Sequence, residues 1–237
     1  MPRKPGRDKA ANPDPSAADA RTARQRIIDA FMGLLAEKPF EQIGLGETAS
    51  RAEVTLAELR ENFSSTFAIL AAQLREIDRT VLAAGDGDMA EEPPRERLFD
   101  VLMRRLDALE PHKAAVRSLA ASAMRDPVLG LALNRLAVRS QQWMLTAGGI
   151  SAAGPRGIVR AQGLAMLFAR VLRTWLDDDD PGHARTMAAL DRALARGQSW
   201  SGLLDGLCAI SRRVCRAMPR QRRGEAGNGV AAHRRMG

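Results

Sequence analysis

The sequence predicts an all-α protein with a small N-terminal helix-turn-helix domain followed by a larger C-terminal helical domain. Three observations carry this. Apolar residues recur at helical spacing along almost the whole chain, and no stretch shows sustained strand-like alternation bounded by hairpin turns. The segment from Ile43 to Leu70 reads as a helix, a tight turn and a second helix.

Taken in order, residues 1–19 are rich in Pro, Ala, Asp and basic side chains without apolar periodicity. Such a stretch cannot bury enough surface to offset the entropy of ordering, so a disordered basic arm is expected. The first helix is expected from about Ala20 to Glu37, with Ile27, Ile28, Phe31, Leu34 and Leu35 on one stripe and Pro39 ending it. Phe40 and Ile43 then plug a small core. Within the helix-turn-helix, Ala49, Ala52, Val54, Leu59 and Phe63 are small or apolar where two short crossed helices must touch. The turn falls around Glu53, and Thr55 is placed to cap the second helix.

Ser64 and Ser65 can cap a longer helix marked by Phe67, Ile69, Leu70, Leu74, Ile77, Val81 and Leu82. It leads out of a domain spanning 20–66 into one spanning 67–217. Residues 84–88 stop it and begin a loop that ends at Pro93 and Pro94. Leu98, Val101, Leu102, Leu106 and Leu109 mark the next helix, which stops before Pro111, and residues 115–124 mark a short one. Asp126 followed by Pro127 is an N-cap with proline at the first helical position, opening a helix through Trp143 that Gly148 and Gly149 break. A helix from Gly154 and Pro155 to Leu176 is apolar around much of its circumference, as expected for burial on more than one side. Asp177 to Asp180 and Pro181 precede a helix carrying Met187, Leu190 and Leu194, and a last helix is expected from about Ser199. Residues 218–237 form a basic tail without an apolar stripe, expected to be disordered.

The net charge of +8 sits in the two ends. Residues 1–26 hold seven Lys/Arg against three Asp, and residues 211–237 hold eight Arg against one Glu, so the body between them is net negative. From Leu45 to Thr66 the basic residues are Arg51 and Arg60, against Glu47, Glu53, Glu58 and Glu61. An acidic face repels phosphates. A glutamate can accept from cytosine N4, so Glu58 or Glu61 can read a base where other groups hold the backbone. A basic arm ahead of such a motif can reach along phosphates or into the minor groove; a plain solvated leader is the alternative.

Other chemistries lack a basis. Cys208 and Cys215 lie about 10 Å apart along one helix by helical rise, too far for an intrahelical disulfide. His112, His183 and His233 are scattered, so neither a metal nor another cofactor is implied. The run Gly44 to Ala49 matches a loose dinucleotide pattern but follows no strand. Asp177 to Asp180 suit a helix N-terminus better than a metal, because negative charge is favoured there. No nucleophile and base pair stands out, so no enzyme is expected. No run reaches the roughly 20 apolar residues that span a bilayer, and no export signal is visible, so a soluble cytoplasmic protein is expected.

The long first helix, the helix-turn-helix near residue 50, the linking helix and the large helical half together resemble the tetracycline-repressor family of bacterial regulators. Ala52, Val54, Thr55, Leu59 and Phe63 match that family's motif. Glu53 stands at its turn glycine, Arg60 at a phosphate-binding tyrosine, Asn62 at a histidine and Thr66 at a lysine. The resemblance implies a ligand-responsive repressor, a homodimer on double-stranded operator DNA. It places DNA contacts at Thr55, Leu56, Glu58, Arg60 and Asn62, flanked by Arg51 and Thr66.

The resemblance also implies a pocket for a small apolar ligand in the C-terminal domain, for which Phe99, Met103, Trp143, Met144, Met166, Phe168, Arg170 and Trp175 are the candidates. Gln141, Gln142 and Arg173 lie nearby as polar handles. The runs from Arg95 to Leu98, Trp175 to Asp178 and Thr186 to Arg192 are similar to the ubiquinone-biosynthesis lipid-binding family, which shares the fold and implies a lipid or quinone ligand without DNA binding. The stripe Trp200, Leu203, Leu204, Leu207, Ile210 and Val214, with Arg212, Arg213 and Arg216 beside it, suits either a peripheral membrane contact through 199–216 or packing on the body or a second subunit.

Overall fold

The computed structural model describes residues 15–85 and 91–197, and all regular structure among them is helical. The helices are α1 (Pro15–Glu37), α2 (Leu45–Arg51), α3 (Leu56–Asn62), α4 (Thr66–Ala83), α5 (Pro94–Leu109), α6 (Lys113–Arg125), α7 (Pro127–Ala147) and α8 (Gly154–Leu176). A further helix, α9, covers 184–197. Short 3-10 turns occupy Phe40–Gln42 and Glu110–His112. The expected helix from Ser199, its membrane stripe and the tail lie outside the described residues.

α1 begins at Pro15, inside the stretch expected to be unstructured. Proline at a first helical position is preorganised, and the alanines that follow are the strongest helix formers. The expected caps form. Ser65 accepts from the Ala68 amide at 3.1 Å, and Asp126 accepts from the Val128 amide at 2.8 Å, opening α4 and α7. Asp180 likewise accepts from the Ala184 amide at 3.2 Å at the start of α9.

Two cores organise the helices. In the first, Ile27, Ile28, Phe31 and Leu35 of α1 are fully buried against Leu59, Phe63 and Ile69. The Phe40 ring meets Phe31 edge-on, with centroids 6.1 Å apart. The second gathers Leu102, Leu106, Met144, Phe168, Trp175 and Leu190 from α5, α7, α8 and α9. α4 serves both, giving Ile69 and Leu70 to the first and Ile77 and Val81 to the second. Residue 66, where the boundary was expected, is the first residue of α4, whose side chains enter both cores.

α6 ties the small N-terminal unit to the larger half. Its Ala115 is buried in the first core, and the Ser118 hydroxyl donates to the Lys38 carbonyl at 2.9 Å. The Phe40 amide donates to Ser122 Oγ at 3.1 Å, and Arg125 pairs with Glu41 at 3.3 Å. Just ahead of α6, Gln73 Nε2 lies 2.8 Å from His112 Nε2. With the amide nitrogen as donor, His112 Nε2 is the acceptor of this contact. Burial pushes the His112 pKa below its usual value, against an opposing pull from Asp29.

Inside the second core, Arg105 of α5 is ion-paired with Asp78 of α4, and both are buried. The Ser140 hydroxyl donates to the same Asp78 oxygen at 2.7 Å, and the guanidinium lies 5.6 Å from the centroid of the Phe168 ring. No described helix is long and apolar enough to cross a membrane.

Gly149, at φ 72°, turns the chain between α7 and α8. One turn into α8, a Cβ on Gly157 would run into the Ala152 carbonyl of the incoming segment. Gly157→Ala is expected to lower stability by ~1–3 kcal/mol through overpacking, read as a lower urea midpoint. Gly46→Ala, where a Cβ meets open space, is the matched control and should not destabilise.

Candidate nucleic-acid interface

The turn between α2 and α3 is built from its backbone outward. The Val54 amide reaches back to the Ala49 carbonyl at 3.1 Å and the Glu53 amide to the Ser50 carbonyl at 3.3 Å. This is the paired hydrogen-bond pattern that ends a helix with a left-handed residue, and Glu53 takes that position at φ 53°. A glutamate there carries Cβ strain that glycine avoids. Glu53→Gly is expected to raise stability by ~0.5–1 kcal/mol net of the added chain entropy, seen as a higher thermal midpoint.

α3 opens on a reciprocal cap. The Glu58 amide donates to Thr55 Oγ1 at 3.2 Å, while Glu58 Oε2 accepts from the Thr55 amide at 2.7 Å and from its hydroxyl at 2.8 Å. The Thr55 amide, then its hydroxyl, holds the Glu58 carboxyl below its usual range. Glu58 was expected as a group able to accept from cytosine. In the structure its Oε2 closes the cap three residues back on Thr55, while the residue stays exposed.

Most cations of the unit are already engaged. Arg51 grips Glu37 through both guanidinium nitrogens, at 2.7 and 2.5 Å, which raises its own pKa and lowers that of Glu37. Lys38 pairs with Glu47. Two arginines on α1, not singled out from the sequence, brace the motif. Arg24 lies 4.4 Å over the Phe63 ring and donates to the Asn62 carbonyl at 3.3 Å, and Arg26 Nε donates to the Ala52 carbonyl at 3.2 Å. They had counted only as charge near the arm.

What α3 presents outward is then specific. Leu56, in its first turn, is 60% exposed, and Arg60 is exposed with no ion pair among the described residues. Asn62 donates its side-chain amide to the Glu58 carbonyl at 2.8 Å, and Thr66 is half-buried at the start of α4. The exposed face of α3 thus carries one large apolar side chain, Leu56, and one guanidinium, Arg60, beside the exposed Glu58 and Glu61.

The residues expected to line a ligand pocket divide. Met144, Phe168 and Trp175 are buried in the second core, and Phe99 and Met103 pack half-buried against it. Trp143, Met166 and Arg170 are corrected: all three are exposed on the outside of the bundle. The inward face of α8 is set by Leu164, Phe168, Val171 and Trp175, and Met166 and Arg170 each lie about 200° around the helix from Phe168 at 100° per residue.

No protein-family model matches the sequence, and no curated protein does either. Solved structures do. A TetR transcriptional regulator from Nitrosomonas europaea ATCC 19718 aligns at 22% identity with a TM-score of 0.59, covering 75% of this chain and 98% of that one. A TetR transcriptional regulator from Rhodococcus sp. RHA1 aligns at 22% identity and a TM-score of 0.51, over 76% of this chain and 97% of that one. A tetR-family transcriptional regulator from Streptomyces coelicolor aligns at 18% identity and a TM-score of 0.51, over 83% and 92%. The chain therefore has the all-helical fold of the tetracycline-repressor family of transcriptional regulators.

Proposed function

We propose that the protein is a ligand-responsive, homodimeric transcriptional regulator that represses by occupying operator DNA. The observation that carries this reading is α3 itself, capped by Thr55 and Glu58, braced from α1 by Arg24 and Arg26, and left with Leu56 and Arg60 free on its outer face. A recognition helix needs a rigid seat and an unencumbered face. The shared fold supports the same reading at the level of architecture.

Dimerisation draws support from α8, which keeps Ile158, Val159 and Met166 at 56–60% exposure. Clustered exposed apolar side chains mark protein contacts. A second copy on this face would set the spacing of two recognition helices. Ligand response draws support from α6, whose hydrogen bonds to Lys38 and Phe40 tie the N-terminal unit to the larger half. A ligand that favours one placement of α6 would shift the population of DNA-competent dimers.

The test is binding of the purified protein to its own upstream DNA across a salt series. Site-specific binding that weakens as salt rises is expected, and Arg60→Ala should weaken it ~10-fold and lower the salt slope by about one. Absence of any specific site at low salt, together with co-purifying lipid, would favour the lipid- or quinone-binding reading instead.

A further inference from the structure

Residues 127–176, which make up α7, the turn after it and α8, contain six arginines and no Asp, Glu or Lys. The rest of the chain sets 30 Lys/Arg against 28 Asp/Glu, so this stretch concentrates positive charge that nothing within it offsets. Arg135, Arg139, Arg156, Arg170 and Arg173 are exposed with no ion pair among the described residues. Arg160 donates to the Ser151 carbonyl at 3.3 Å. The aspartates that follow α8 turn elsewhere, with Asp177 meeting Arg117 of α6 at 3.2 Å.

On α7 the free cations share a face with large apolar side chains. Val128, Leu131 and Trp143 are 77, 56 and 60% exposed. With Arg135 and Arg139 they fall within an arc of about 120° at 100° per residue, over about 22 Å of helix. The other side of α7 puts Leu129, Gln141, Met144 and Leu145 into the protein, so the helix is fixed and presents this stripe alone. Ile158, Val159 and Met166 of α8, on which dimerisation draws, lie across a seam where Asn134 and Gln162 exchange two side-chain hydrogen bonds at 3.0 Å. The α7 stripe is therefore a second surface.

We propose that this stripe docks the protein on an anionic lipid surface, with Trp143 and Leu131 set among the headgroups and Arg135 and Arg139 on lipid phosphates. Indole rings favour the headgroup level, and an arginine extends its charge to phosphate while its stem covers apolar ground. Three apolar side chains separated by arginines over about 22 Å leave no contiguous apolar centre of the kind that carries a protein interface, whereas a lipid surface accepts each side chain separately. Duplex DNA is held by its phosphates and has no use for an exposed tryptophan and two aliphatic side chains beside them. Single-stranded nucleic acid is held by successive aromatic rings, and this stripe has one. The contact is peripheral, since no described helix is long and apolar enough to cross a membrane. It goes beyond the regulator reading and does not rest on it, because the stripe is on α7 and the DNA face is on α3.

Co-sedimentation of the full chain with vesicles of equal parts phosphatidylglycerol and phosphatidylcholine tests the proposal, read together with quenching of indole fluorescence by brominated acyl chains in the same vesicles. The two basic ends also attract anionic lipid, so the deciding signal is Trp143 itself. Trp200→Phe removes the indole of the C-terminal stripe and Trp175 is fully buried, which leaves Trp143 as the accessible ring. Quenching is expected on anionic vesicles and not on pure phosphatidylcholine. Replacing both cations, Arg135→Gln with Arg139→Gln, should lower the partition ~30-fold. Arg192→Gln, an exposed arginine on α9, should leave it unchanged. The α7 side chains replaced are exposed, so the thermal midpoint should hold, and the quenching signal needs no α7 variant at all. Absence of vesicle binding, binding without quenching of Trp143, or an unchanged partition in the double arginine variant would overturn the proposal. An oligothymidylate that displaces the vesicles and itself shields Trp143 from acrylamide would overturn it in favour of a nucleic acid.

Discussion

Asp78→Ala is expected to destabilise the protein by ~3–5 kcal/mol, the cost of leaving the buried Arg105 guanidinium without its carboxylate. Arg105 is 3% exposed and its Nε already lacks a partner, so the remaining cation would have only the Phe168 face and no compensating anion. A cation–π contact supplies about 2 kcal/mol when desolvated, which is too little to replace the pair. The Ser140 hydroxyl would lose its acceptor as well. Chemical denaturation followed by helical circular dichroism gives the number. The companion variant Asp78→Leu with Arg105→Met removes both charges together and should fall within about 1 kcal/mol of the parent or exceed it. A large loss in the double variant would mean that the pair positions α4 against α5 in a way apolar side chains cannot.

That pair shows where sequence reasoning ended. Asp78 and Arg105 lie on different helices, and nothing in their local spacing announces that they meet in the core. The features that were legible are local ones. Thr55, Ser65 and Asp126 stand directly ahead of apolar helical runs, and each caps as expected, because a cap is decided within four residues. Ala49, Ala52 and Leu59 were legible because two helices joined by a short turn must touch at small or apolar positions. Trp143 and Met166 failed for the converse reason: apolar character alone does not say which side of a helix faces the core when both sides carry apolar residues. Thr55 and Glu58 stand at capping-box spacing, a signature also carried by the sequence, and the carboxylate closes on Thr55. Arg24 and Arg26 act on backbone carbonyls of Asn62 and Ala52, at sequence separations of 38 and 26, where no periodicity argument reaches.

The same distribution of charge yields the largest functional effect expected. Arg24, Arg26, Lys38 and Arg51 are all engaged within the N-terminal unit, and Arg60 is the one cation that α3 itself offers to phosphates. One contact gives a salt slope near one, far short of operator binding, which rests on several. Ahead of α1 the sequence carries four more cations, Arg3, Lys4, Arg7 and Lys9. Replacing all four with serine in the full chain is expected to lower the slope of log K against log salt by about 3 to 4, at roughly 0.9 per phosphate neutralised. Affinity at about 0.1 M salt should fall on the order of 100–1,000-fold, with sequence preference kept, because phosphate contacts position the protein and base contacts specify the site. Arg60→Ala should do the opposite in proportion: a slope change near one, with discrimination between operator and scrambled DNA reduced. If the serine variant binds its operator with the parent's salt slope, the phosphates are met elsewhere, and the acidic surface around α3 would then need a different source of attraction.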